Sequence, residues 1–266
     1  MRLAVSNLAW RQDEDDAARA HLKLLGVRGV EIAPTKVWPD PLSIPHAEII
    51  AYRKRWNDDG IEIVAMQSLL YNRPDLQLFG TTAQRYDLFD YLCDMMKVGW
   101  LLGAKVAVFG SPKNRRVPAG VEIDLPLLYD FFTGLSSVAR ENGIVFCLEP
   151  NPSSYGCNFI TTHDEAEMFS RIIAHDHFKI NFDTGIAFIG NELADEEVGH
   201  VHLSNPFLGV VNKLESKHRS AAESLRKMGY AGWLSIEQAS SMYGDNLVDV
   251  SSAVAFCERI YEAPAS

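Results

Sequence analysis

The sequence predicts a single-domain (β/α)8 barrel, a TIM barrel, spanning residues 1–266. Three observations predict it. Short, β-rich apolar runs alternate with longer helical patterns from end to end, in eight strand–helix units. Several runs are apolar throughout, such as Val106-Ala107-Val108-Phe109, as expected of strands covered on both faces. Gly26, Gly60, Gly103, Gly143 and Gly229 end helical patterns just before the next strand, where a left-handed cap favours a residue without a Cβ. Eight units in about 250 residues match the size of a closed barrel. An open doubly wound sheet would show a glycine-rich phosphate loop after an early strand, and the first strand here runs into Asn7-Leu8-Ala9-Trp10.

In chain order, strands are predicted over 2–9, 29–34, 61–68, 105–110, 144–149, 178–183, 199–204 and 232–237. Helices are predicted over 14–26, 46–58, 82–102, 125–141, 163–174, a short acidic 192–198, 217–228 and 246–261. Thr162 followed by Asp164-Glu165 reads as an N-cap with acidic residues in the first turn. Residues 35–45 and 112–124 are the longest irregular stretches, both rich in proline, and are expected to act as lids or substrate walls. No linker, low-complexity tract or composition break divides the chain.

Composition narrows the function. An apolar fraction of 47% is ample for a full core. A formal charge of −10 repels phosphate backbones, and Lys113-Asn114-Arg115-Arg116 is too short a basic stretch to offset it, so no nucleic-acid partner is expected. The four cysteines, Cys93, Cys147, Cys157 and Cys257, form no CxxC pair and read as buried free thiols. No apolar run approaches a membrane span, and the first residues lack the pattern of a secretion signal, so a cytoplasmic protein without a membrane partner is expected. Pairing into a homodimer through outer helices is a fold-level expectation.

Chemistry is concentrated near the C-terminus. Glu149 ends Val145-Phe146-Cys147-Leu148-Glu149, Asp183 ends Phe178-Lys179-Ile180-Asn181-Phe182-Asp183, His202 follows Gly199-His200-Val201, and Glu237 ends Trp233-Leu234-Ser235-Ile236-Glu237. Barrel active sites form at the C-terminal ends of the strands, and side chains alternate in and out along each strand. If these strands lie parallel, the four side chains converge. Buried carboxylates there would be costly without a cation. Mixed carboxylate and imidazole donors describe a site for one divalent metal ion, with Mn²⁺, Mg²⁺ or Co²⁺ suited better than a closed Zn²⁺ site.

The order Glu, Asp, His, Glu on the last four strands resembles the xylose-isomerase-like barrels, and within them the sugar phosphate isomerase/epimerase group of ketose 3-epimerases, hydroxypyruvate isomerase and inosose dehydratase. Leu148-Glu149-Pro150, Phe182-Asp183-Thr184-Gly185, Val201-His202-Leu203-Ser204 and, most specifically, Gly229-Tyr230-Ala231-Gly232-Trp233-Leu234-Ser235-Ile236-Glu237 carry the resemblance, which covers the whole chain. It implies that Glu149, Asp183, His202 and Glu237 hold one divalent cation. It also implies that Glu149 and Glu237 act as an acid/base pair on opposite faces of a sugar-like small molecule, through an enediolate. A metal-dependent dehydratase acting on a keto-polyol shares the first step. A non-catalytic barrel is the other alternative, because positions that bind substrate in the family differ here: Tyr155, Ile186, Asn205 and Leu208 stand where a carboxylate, a histidine, an aspartate and an arginine are usual. The nuclease branch of the superfamily is disfavoured by the charge.

Other polar groups are expected at the substrate. Gln67 ends the third strand, Asn151 closely follows Glu149, and His218 opens the seventh helix. Lys113 and Arg115 follow the fourth strand and are placed to receive a phosphate or carboxylate. Trp10, Trp38 and Tyr71, on loops after the first three strands, are expected as aromatic walls.

Overall fold

The structure, a computed structural model, describes residues 1–193 and 198–262. Eight strands, β1 (Arg2–Ser6), β2 (Gly29–Ile32), β3 (Glu62–Met66), β4 (Val106–Phe109), β5 (Val145–Leu148), β6 (Phe178–Asp183), β7 (His200–Leu203) and β8 (Trp233–Ile236), close into a barrel in sequence order. Every neighbouring pair is parallel, β1 with β8 included. The connecting helices are Asp15–Leu24, His46–Asp58, Thr82–Leu102, Leu125–Glu141, His163–Ile173, Thr184–Gly190, Glu215–Lys227 and Asn246–Cys257. This is a single-domain (β/α)8 barrel. No helix among the described residues is long and apolar enough to cross a membrane.

Parallel strands need long crossovers, and those crossovers bury the outer face of the sheet against helices. The outer face is accordingly aromatic and aliphatic. Phe132 of the Leu125–Glu141 helix packs its ring 5.5 Å from Phe178 and 5.1 Å from Phe169, with Phe109 and Phe146 at 6.4 Å. Removing such a buried ring costs about 3–5 kcal/mol. Inside the barrel the residues are smaller and separate from that core: Ala4, Val64, Val106, Val108 and Cys147 form an apolar plug, with Val145 and Trp233 against it. The plug closes the bottom and leaves the C-terminal mouth for polar residues.

Two expected elements differ. Strand β1 stops at Ser6, not residue 9, because Ser6 Oγ accepts the Leu8 N–H and Asn7 Oδ1 accepts the Ala33 N–H, turning the chain into a short 3-10 turn. After β6 the helix is Thr184–Gly190, not 192–198. The Asp183 carboxylate caps the Ile186 N–H at 2.7 Å and starts the helix at once, and Asn191 ends it at φ 55°. Glu192, Leu193 and Val198 are not helical, and 194–197 lie outside the described residues.

Candidate metal centre

The strand registers bring the predicted residues to one rim. Asp183 pairs with His202, and His202 pairs with Ser235 two residues before Glu237. Glu149 and Glu237 each sit one residue beyond a strand, bonded through their N–H groups to the Phe109 carbonyl (3.1 Å) and the Leu203 carbonyl (2.9 Å) of the neighbouring strands. The result is a convergence on one nitrogen: His202 Nδ1 lies 3.1 Å from Glu149 Oε2, 3.4 Å from Glu237 Oε2 and 3.9 Å from Asp183 Oδ2. The donor atoms of Glu149, Asp183 and His202 all lie within 4.8 Å of one another.

Asp183 and Glu237 each have one oxygen spent on positioning, and Glu149 has a donor on both. Asp183 Oδ1 accepts from Ile186 N–H and from Ser204 Oγ, both at 2.7 Å, which leaves Oδ2 toward the cluster. Glu149 Oε1 accepts from Asn151 Nδ2 (3.2 Å) and Oε2 from Asn181 Nδ2 (2.7 Å). Glu237 Oε1 accepts from Gln67 Nε2 at 2.9 Å. Two glycines make room. A Cβ on Gly110 would collide with Glu149 Oε1, and one on Gly185 would stand 2.7 Å from the Asn205 carbonyl carbon, too close for either site to hold its shape.

Behind His202 lies a group that the sequence reading passed over. Glu31 of β2 is fully buried, and its Oε1 is 3.1 Å from His202 Nε2 while its Oε2 is 3.3 Å from His200 Nε2. Burial alone would raise the Glu31 carboxyl, but the two imidazoles, His202 first, hold it well below the usual carboxylate range. Burial works against a charged His202, yet Glu31 and Glu237 push its imidazole well above the usual range. Burial, and then the charges of Glu149 and Glu237, raise Asp183 well above an ordinary carboxylate. The only sign of Glu31 in the sequence is a glutamate inside an otherwise apolar run, Gly29-Val30-Glu31-Ile32.

The cluster floors a cavity of about 280 Å³. Gln67, Asn151 and Tyr71 line it as expected, and Gln67 Oε1 is a buried acceptor without a partner among the described residues. Five other expected residues do not line it. The Arg115 guanidinium is buried and donates to the carbonyls of Phe159 (2.6 Å), Ile160 (3.2 Å) and Glu149 (2.6 Å), so it stitches loops together. Lys113 is exposed outside the cavity. Trp10 is buried against Trp56 at 6.4 Å, with Nε1 donating to Asp15. His218 is buried against Tyr261 Oη (2.7 Å) and reaches the site only through Asn205 Oδ1 at 3.3 Å. Trp38 packs on Tyr52 and is also outside the cavity.

The family model of xylose isomerase-like TIM barrels matches residues 20–257. Among solved structures, a D-psicose 3-epimerase with D-tagatose from Clostridium cellulolyticum H10 is 18% identical with a TM-score of 0.79, over 99% of this chain and 100% of that one. A 3-keto-D-glucoside 4-epimerase from E. coli is 16% identical with a TM-score of 0.75, over 99% and 100%. The IOLI protein with a binding zinc atom is 15% identical with a TM-score of 0.71, over 98% of each chain. No curated protein sequence matches this chain.

Proposed function

This chain belongs to the xylose isomerase-like TIM barrel family, and on that premise we propose that it is a divalent-metal-dependent isomerase or epimerase of a sugar or related polyhydroxy carbonyl compound. The observation that carries the reading is the convergence of Glu149, Asp183 and Glu237 on His202 Nδ1 at 3.1–3.9 Å. The sugar epimerases among the similar structures support the substrate class.

The residues fit a divalent cation. Three carboxylates crowd one imidazole, and Asp183 is raised because it is buried beside two like charges. A cation held by Glu149, Asp183, His202 and Glu237 offsets that cost. Oxygen-rich donors suit Mn²⁺, Mg²⁺ or Co²⁺, and the zinc atom of the IOLI protein keeps Zn²⁺ among the metals to test. When bound, such an ion supplies Lewis-acid polarisation of a carbonyl and its neighbouring hydroxyl, and offsets the charge of the enediolate.

The protein's own residues do the rest. One glutamate, of the pair Glu149 and Glu237, takes the proton from the carbon beside the carbonyl, and the C–H electron pair moves into the enediolate double bond. The other, protonated, gives its proton to the opposite face of the same carbon. Asn151 and Gln67 hold the two carboxylates in place through amide donors, and the unpartnered Gln67 Oε1 accepts a substrate hydroxyl.

Metal content by elemental mass spectrometry tests the reading, on wild type and on Asp183→Ala prepared alongside. About one equivalent in wild type and none in the variant is expected, followed by deuterium uptake from D₂O into a ketose or hydroxyketone. Deuterium uptake with loss of water would move the assignment to a dehydratase. No metal in either protein after loading with Mn²⁺ sinks it.

A further inference from the structure

The cavity is most polar where the strands end, and Ser68, Ser111, Ser204 and Asn205 line it as well. Gln67, Asn151 and the four clustered residues sit at the strand ends, while Leu70, Tyr71, Pro112, Tyr155, Ile186 and Leu208 stand on the wall made by the loops and segments that follow the strands. No lysine or arginine among the described residues lines it. The two cations that follow β4 are turned elsewhere, Lys113 into solvent and Arg115 onto three carbonyls. Away from His202 and the cation it would help hold, an anionic group on a substrate would therefore meet no lysine or arginine among the described residues. A neutral hydroxyl facing Ile186 or Leu208 would lose water and find no donor or acceptor on those side chains.

The apolar wall is held at a conformational cost. Phe207 and Leu208 follow one another at φ 59° and 55°, a left-handed pair that non-glycine residues rarely adopt. Surrounding contacts fix that turn. Tyr155 Oη accepts the Phe207 N–H at 2.8 Å, the two rings lie 5.2 Å apart, and the Leu208 carbonyl accepts the Ala239 N–H at 2.9 Å. Strain of this kind persists where its neighbours over-determine it. Its product is Leu208 on the cavity wall beside Tyr155, with Phe207 73% exposed next to them.

We propose that the cavity takes an uncharged polyhydroxy carbonyl compound bearing an apolar substituent away from the cluster, a keto form of an aryl or alkyl glycoside, and not a free or phosphorylated ketose. This rests on the function proposed above, and it assigns Tyr155, Ile186 and Leu208 as the residues that set specificity. The polyhydroxy end meets Gln67, Asn151 and the clustered residues, and the substituent lies against the apolar wall.

Calorimetric titration of the Mn²⁺-loaded protein tests this with the 3-keto forms of phenyl β-D-glucopyranoside and methyl β-D-glucopyranoside, and with D-fructose 6-phosphate. The phenyl compound is expected to bind about tenfold more tightly than the methyl compound, the scale of one aromatic contact, and the phosphate ester to show no saturable binding. Leu208→Arg and Tyr155→Glu, each checked for an unchanged melting transition, are expected to abolish the tenfold preference. Equal binding of phenyl and methyl compounds, tighter binding of the phosphate ester, or no binding of the phenyl compound overturns the proposal. Deuterium uptake from D₂O is read separately. Exchange without the apolar preference would keep the isomerase reading and sink this one, and the preference without exchange would do the reverse.

Discussion

Glu31 Oε1 lies 3.1 Å from His202 Nε2, on the opposite edge of the ring from the three carboxylates that face Nδ1. A carboxylate at Nε2 holds the proton there and leaves the Nδ1 lone pair for a cation. Glu31→Gln keeps the size of the side chain and removes the charge that fixes this tautomer. The expected outcome is metal affinity weakened roughly 10- to 100-fold with a folded barrel, read by calorimetric titration of the metal-free protein with Mn²⁺. Unchanged affinity would show that Glu31 only fills the barrel.

Metal should also stabilise the fold. Asp183 is buried against Glu149 and Glu237 and raised for that reason, so the metal-free protein carries an electrostatic cost that a cation relieves. At a free metal concentration about 100 times Kd, the gain is about 2.7 kcal/mol. Thermal melts with and without EDTA should differ accordingly in wild type and coincide in Asp183→Ala.

Glu149→Gln and Glu237→Gln should each lower kcat/KM roughly 10²- to 10⁴-fold, because each removes one proton-transfer partner. The two variants should separate when a single epimer is supplied in D₂O. The variant that keeps the base facing that epimer's C–H still washes in deuterium without inversion, and the other exchanges nothing. Identical exchange in both variants would contradict a two-faced mechanism.

His218 gives a pH dependence of stability that is separate from the cluster. Burial against Phe188, Phe256 and Tyr261 lowers it to about 4 from an ordinary 6.5. The sign follows from linkage. Below pH 6.5 the unfolded chain takes up a proton that the folded chain refuses, so stability falls as pH drops from 6.5 to about 4 and this contribution levels off below. The drop is on the order of 3 kcal/mol. Urea melts across this range should show it in wild type, and His218→Gln should flatten it. Equal slopes would mean that His218 titrates normally.

Arg115→Met separates a structural arginine from a substrate-binding one. It strips hydrogen bonds from the buried carbonyls of Glu149, Phe159 and Ile160, so a loss of roughly 3 kcal/mol or more is expected in a denaturant melt. A melt like that of wild type, with a raised KM for an anionic substrate only, would restore the sequence-based expectation for this residue.

Most of the barrel was legible because its signals are local. Continuous apolar runs such as Val106–Phe109 declare strands buried on both faces, and glycines such as Gly103, at φ 82°, declare where helices stop. Glu149, Asp183, His202 and Glu237 were legible for a related reason. A strand end is visible in sequence, and parallel closure carries every such end to one rim. Helix placement after β6 was misread because a carboxylate two turns earlier starts the helix, and Asp183 looked committed to the cluster alone.

The sequence by itself determined the eight-unit barrel and the rim on which its carboxylates gather, since alternation and capping act over a few residues. Only the tertiary structure decided what each remaining polar side chain faces. Glu31 and His202 are 171 residues apart and meet only across the closed barrel. Arg115 turned inward because the backbone carbonyls of Glu149, Phe159 and Ile160 needed donors, a demand that exists only once those loops pack. Cavity walls are built from loops distant in sequence, and the apolar character of this one emerges only when Tyr155, Ile186 and Leu208 are brought side by side.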